Sequence, residues 1–161
     1  MTGDAAAADE SVLRRVAGAL ADAADAAIPG WVVRVANARL AGAGIDPAGA
    51  ADDLAGAAER ARIEVGGALR ELLEADIDEQ PVGPLTVLRF AVRYPTAGLR
   101  AAGVAPVARD EFARRAFPDD DYDLTPAGFA DVDESLREPG LVWGAAKAHV
   151  HLARRRAEGR A

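Results

Sequence analysis

Three aspartates at alternate positions, Asp119, Asp121 and Asp123, stand in the stretch Phe117-Pro118-Asp119-Asp120-Asp121-Tyr122-Asp123-Leu124-Thr125-Pro126. Alternating carboxylates in a turn open a calcium loop, because they converge on a hard cation. An EF-hand loop would next require glycine where Leu124 stands and a bidentate glutamate where Ala130 stands, and both are missing. The stretch therefore reads first as an acidic turn facing arginines of the same chain, and second as a divalent-cation site.

Arg89 and Arg93 lie four residues apart on an otherwise apolar segment. Guanidinium groups make paired hydrogen bonds to phosphates and carboxylates, so the two, with Arg109, form a candidate anion clamp. The alternative is internal: arginines on a buried helix need anionic partners, and the aspartates of the 119 to 123 turn can supply them. His149 and His151 do not form a metal pair, since two residues apart on a helix they project about 200° apart. His149 shares a face with Val142, Ala145 and Leu152 and is expected in the core or at an interface. Trp143, Lys147 and His151 follow at steps of four with Arg154 nearby, a mixed aromatic and basic face that reads first as a helix side partly covering a neighbour, and second as an interaction surface for an acidic partner or a nucleobase. No phosphate-binding glycine loop and no serine elbow occurs, and Lys147 lacks any Schiff-base context.

The elements that must position these groups are helices. Of the 50% of residues that are hydrophobic, 40 are alanine, the best helix former, while aromatic residues make up only 5%. Residues 1 to 8 are small and polar and are expected to be disordered. Leu13, Val16, Leu20, Ala24 and Ala27 then recur at helical spacing from Asp9 to Ile28, where Pro29-Gly30 should stop the helix. Trp31 to Leu40 is a second helix, ended by the Ala-Gly-Ala-Gly run at 41 to 44. Asp46-Pro47 starts a third, which carries Leu54, Ala58, Ala61, Val65, Leu69 and Leu72 on one face and is weakened at Gly66-Gly67.

Asp76 to Gly83 is the expected boundary between an N-terminal arm or hairpin, residues 9 to 80, and a C-terminal core, residues 81 to 157. Beyond it Leu85 to Val92 is apolar around nearly its whole circumference and is expected at the centre of that core. Pro95 should end or kink it. A short helix from Ala108 to Ala116 should turn Phe112 inward. Thr125-Pro126 caps a further helix, and Pro139-Gly140 opens the last, with Leu141, Ala145, Ala148 and Leu152 as its apolar row. The fold class is all-α, of six to eight helices.

Charge narrows the partners. The net charge is −7, with 15 acidic against 7 basic residues in 1 to 80 and 11 against 12 thereafter. An acidic first half argues against nucleic acid, whose binding depends on phosphate neutralisation. The absence of cysteine excludes disulfides and thiolate metal sites and fits a cytoplasmic protein. No charge-free stretch approaches the roughly 18 residues of a membrane span.

The segment from Pro84 to Arg156, with PLTVLRFAVRYPT, GVAPVARDEF, FPDDDYDLTP and WGAAKAHVHLARRR, resembles uncharacterised proteins of high-GC actinobacteria. The resemblance implies no activity and transfers no functional residue. The expected function is that of a non-enzymatic cytoplasmic binding or adaptor protein without a cofactor, acting through helix-mediated contacts with a protein partner or with itself. Second comes a small domain that binds an anion at Arg89 and Arg93 or a cation at the aspartates. Third comes an enzyme with an acid-base pair drawn from the aspartates and His151.

Overall fold

A computed structural model describes residues 2–75 and 82–159. It is an all-α protein in which one long helix packs on a helical core. The order is α1 (Thr2–Gly42), a 3-10 turn (Pro47–Ala50), α2 (Ala51–Ala61), a π turn (Arg62–Gly66) and α3 (Gly67–Glu74). There follow α4 (Pro84–Arg89), a 3-10 turn (Phe90–Val92), α5 (Arg93–Ala101), α6 (Glu111–Ala116), α7 (Phe129–Val132), a 3-10 turn (Glu134–Leu136) and α8 (Arg137–Ala157). Most of the boundary expected at Asp76 to Gly83 lies outside the described residues.

Helix α1 is the axis, and it overrides two expectations. It begins at Thr2, so the tail expected at residues 1 to 8 is helical from its second residue, in keeping with the alanines at 5 to 8. It also passes through Pro29-Gly30 without stopping. Proline inside a helix costs about 3 kcal/mol. Yet Ile28, Trp31 and Val32 are all at most 2% exposed, and each contributes about 1.5–3 kcal/mol on burial, so packing outweighs the defect. By length and composition this helix is apolar enough to cross a membrane, but its apolar residues form the protein core here.

Its C-terminus is closed as the sequence expects. Gly44 takes the left-handed conformation at φ 73, and the Ile45 amide donates to the Leu40 carbonyl at 2.9 Å. Asp46 caps the next turn through the Ala48 amide at 3.0 Å, with Pro47 in the first turn.

The chain then runs back along α1. Arg62 pairs with Asp25 at 3.3 Å and Arg70 with Asp22 at 2.6 Å, so α2 and α3 are antiparallel to it. The expected weakness at Gly66-Gly67 is a π turn that ends at Gly66. A Cβ on Gly66 would meet the Asp25 Oδ1 at 2.7 Å, so the glycine lets the helices approach at this level. Four residues after Asp25 stands Pro29, whose missing amide leaves the Asp25 carbonyl without its usual helical donor.

Helices α4 and α5 turn again and follow the direction of α1, with Gly98 against Leu54 and Tyr94 bonded to Glu64. Pro95 does not end this run: a 3-10 turn at 90 to 92 precedes it and α5 continues through it to Ala101. Val87, Leu88, Ala91, Val92 and Leu99 are buried, but Phe90 is 47% exposed. The segment is therefore two-faced, contrary to the expectation of burial all round, because the side that carries Thr86, Phe90 and Arg93 is bordered by the loop after α6 across an open cleft and is not covered by a helix.

Helix α8 closes the bundle against α1, from Arg34, which donates to the Val132 carbonyl just before it, to Glu10, which pairs with Arg154. It is thus antiparallel to α1. It begins at Arg137, two residues before the expected start, with Pro139 in its first turn, where the missing amide costs little.

Candidate functional site

The residues singled out by type fall into two places. The first is a cleft of ≈ 240 Å³ between α4, the start of α5 and the loop after α6, lined by Arg89 and Arg93 among others. The second is the surface of α8.

The loop from Phe117 to Thr125 owes its shape to Asp120. This side chain is fully buried and accepts from the Leu124 amide at 2.8 Å, the Thr125 amide at 2.7 Å and the Thr125 hydroxyl at 2.5 Å. Burial pushes its carboxyl up, but the donors from Leu124 and Thr125, with the charge of Arg109, together hold it below the usual aspartate range. Arg109 is itself nearly buried, 3.9 Å from Asp120, and donates to the Phe117 carbonyl at 2.8 Å and to the Asp120 carbonyl. Its Nε is buried without a hydrogen-bond partner among the described residues. Arg109 is therefore an internal brace of the loop and stands apart from the anion clamp that its residue type suggests. Tyr122, 1% exposed, anchors the same loop by donating to the Val104 carbonyl at 2.7 Å.

Alternate spacing thus picks out the wrong aspartates for the inside. Asp119, Asp121 and Asp123 face outward, and among the described residues no group of three acidic or histidine side chains converges as metal ligands would. Arg93 donates through Nε and Nη2 to the Asp119 Oδ2 at 3.1 and 2.8 Å, and Arg100 of α5 pairs with Asp121. Asp123 takes the left-handed conformation at φ 57, which aspartate tolerates better than most residues. The arginine-to-aspartate pairing expected for this turn exists at Arg93, but both side chains are more than half exposed. Such a pair contributes little, about 0–1 kcal/mol.

Arg89 behaves differently from Arg93. Its Nε donates to the Pro126 carbonyl at 3.1 Å, and its guanidinium lies 5.2 Å from the centre of the Phe117 ring. The two arginines do not share one anion site, because Arg93 is bound to Asp119 and lies 5.0 Å from the Phe90 ring. Sequence spacing puts them on one helical face but cannot tell which of them the acidic loop reaches.

On α8 the expected faces are exchanged. Of the two readings of Trp143, Lys147, His151 and Arg154, the side that covers a neighbour is the one found, and the outward interaction surface does not form. Trp143 is instead 8% exposed and packs into the core, with Lys147 5.2 Å from its ring and Arg154 held by Glu10. His151 alone of the four is exposed. The apolar row expected inside, Leu141, Ala145, Ala148 and Leu152, faces outward, with Leu141 at 65% and Leu152 at 51% exposure. Both rows repeat at steps of three and four, so periodicity alone does not choose between them; the large indole of Trp143 and the branched Val150 set the buried one. His149, expected in the core or at an interface, is outside the core and lies 3.3 Å from Asp9. Phe112 is likewise exposed, at 80%, because α6 has only six residues and no described layer lies over it.

Comparison of the chain with family models, with curated proteins and with solved structures finds no match.

Proposed function

We propose that this is a non-enzymatic cytoplasmic binding protein that works through a helix surface, and that the surface is the outer face of α8, covered by a second copy of the same chain. The observation that carries this reading is the outward row Leu141, Ala145, Ala148 and Leu152, exposed along the middle, residues 141 to 152, of a 21-residue helix. Steps of four, three and four are those of a coiled-coil seam, and the alanines in the middle allow close approach of two backbones.

The row is also self-complementary when two copies run antiparallel. Leu141 then faces Leu152 of the other copy, Ala145 faces Ala148, and Glu138 at one end meets Arg155 at the other. Symmetry repeats each contact, as a two-fold interface requires. A parallel pairing would place Glu138 on Glu138 and Arg155 on Arg155, which like charges oppose. Covering four leucines contributes about 1.5–3 kcal/mol each, against an association cost of about 4–15 kcal/mol, so the dimer is weak and concentration-dependent.

The chain contains no cysteine, which permits a direct test. Ala145→Cys and Ala148→Cys proteins, mixed and oxidised, should give the mixed disulfide dimer in preference to either self-linked one. Preferential self-linking would indicate a parallel pair, and no linking together with monomeric light scattering at high concentration would remove the proposal.

A further inference from the structure

We infer that the cleft between α4 and the loop after α6 binds a small carboxylate with an apolar body, held by Arg89. The inference is independent of the pairing of α8. The cleft of ≈ 240 Å³ has walls from Phe90, Val92, Ala116, Phe117 and Pro118. That is below the roughly 300 Å³ at which pockets for drug-sized molecules begin, so it suits a ligand of about one ring.

Its polar groups are almost all engaged. Asp119 is held by Arg93, and Asp120 by the Leu124 and Thr125 donors. Among the charged groups Arg89 is the exception. Its Nε is bound to the Pro126 carbonyl, which with the Phe117 ring fixes the plane of the guanidinium, while its two terminal nitrogens make no hydrogen bond to the described residues. A half-buried guanidinium with both ends of its fork unused is preorganised for a carboxylate, which accepts two parallel hydrogen bonds. Arg93 and Asp119 cancel each other beside it, and Arg109 behind the loop offsets Asp120, so the surplus charge around the cleft is close to +1 and selects a monoanion over a doubly charged phosphate. Thr86, one turn before Arg89 on α4 and also lining the cleft, adds a hydroxyl at the rim.

Calorimetric titration of the full chain with phenylacetate, phenylacetamide and inorganic phosphate tests this. Phenylacetate should bind, with the neutral amide and phosphate each at least about tenfold weaker. Arg89→Met, which keeps the apolar stem, should lower affinity by about tenfold or more. Ala116→Leu, which fills the cleft and leaves Arg89 in place, should lower it as well, so the outcome does not depend on the folding of one variant. Equal binding of acid and amide would overturn the inference, as would phosphate binding as well as phenylacetate, undiminished affinity in Ala116→Leu, or no heat at about 10 mM phenylacetate.

Discussion

The carboxylate of Asp120 and the guanidinium of Arg109 lie 3.9 Å apart beneath the loop that joins α6 to α7, the first fully buried and the second nearly so. Neither is among the residues that alternate spacing brings forward, yet they decide whether one wall of the Arg89 cleft exists. Asp120 ties Leu124 and Thr125 to the loop, and Arg109 ties Phe117.

Replacing Asp120 with alanine should therefore cost about 2–4 kcal/mol, since it removes several charge-assisted bonds and leaves Arg109 buried without its counter-charge. Asp119→Ala, which breaks an exposed pair, should cost under about 1 kcal/mol. Urea denaturation of the two variants beside the parent measures the contrast, and equal losses would contradict the assignment of Asp120 as the organiser.

Asp120 also sets an acid limit. Its folded-state pKa is depressed, so the stability it contributes is present above the ordinary aspartate pKa and is lost as pH falls through the depressed value. Thermal midpoints recorded from pH 6 downward should fall more steeply below about pH 4 in the parent than in Asp120→Asn. Parallel curves would show that other carboxylates carry the effect.

An alkaline limit follows from Tyr94 on α5, whose hydroxyl donates to Glu64 in the π turn. Burial, and then the Glu64 carboxylate, pushes its pKa up to about 12. A raised phenol binds its proton more tightly folded than unfolded, so its contribution is complete below about pH 10 and disappears as pH rises through the folded value. Spectrophotometric titration should show Tyr94 ionising well above free tyrosine, and Glu64→Gln should move it back toward the ordinary value. An unmoved titration in that variant would place the cause entirely in burial.

Three glycines should respond to alanine in different directions. Gly67 has helical geometry and open space where a side-chain carbon would stand, so Gly67→Ala should stabilise by about 0.5–1 kcal/mol. Gly140 is packed on the Phe129 ring, where a Cβ would come within 2.7 Å, so Gly140→Ala should destabilise by about 1–3 kcal/mol. Gly66→Ala would press on the end of Asp25, a short side chain that can swing away, and should lie between the two. Differential scanning calorimetry of the three variants gives the order.

Much of the bundle is legible in the sequence. Leu13, Leu20 and Ala24 on α1, and Leu54, Ala58, Ala61, Val65 and Leu69 after Asp46, are buried as their spacing requires. The cap at Asp46 and the glycine stop at Gly44 also read directly, because both are local chemistry. Pro29 misleads because its cost is local whereas the packing of Trp31 and Val32 that offsets it is tertiary. Helix α8 misleads for another reason: it carries two rows of equal periodicity, and which one turns inward depends on the surface of α1 it meets. Arg89 and Arg93 are legible as a pair but not as opposites, since the division depends on how far along the loop Asp119 reaches.

The contact between Glu10 and Arg154 spans 144 positions of the chain. During synthesis, then, the side of α1 that α8 covers must wait for its partner while the intervening residues leave the ribosome. A nascent chain halted before α8 would offer chaperones the strip that α8 ultimately hides.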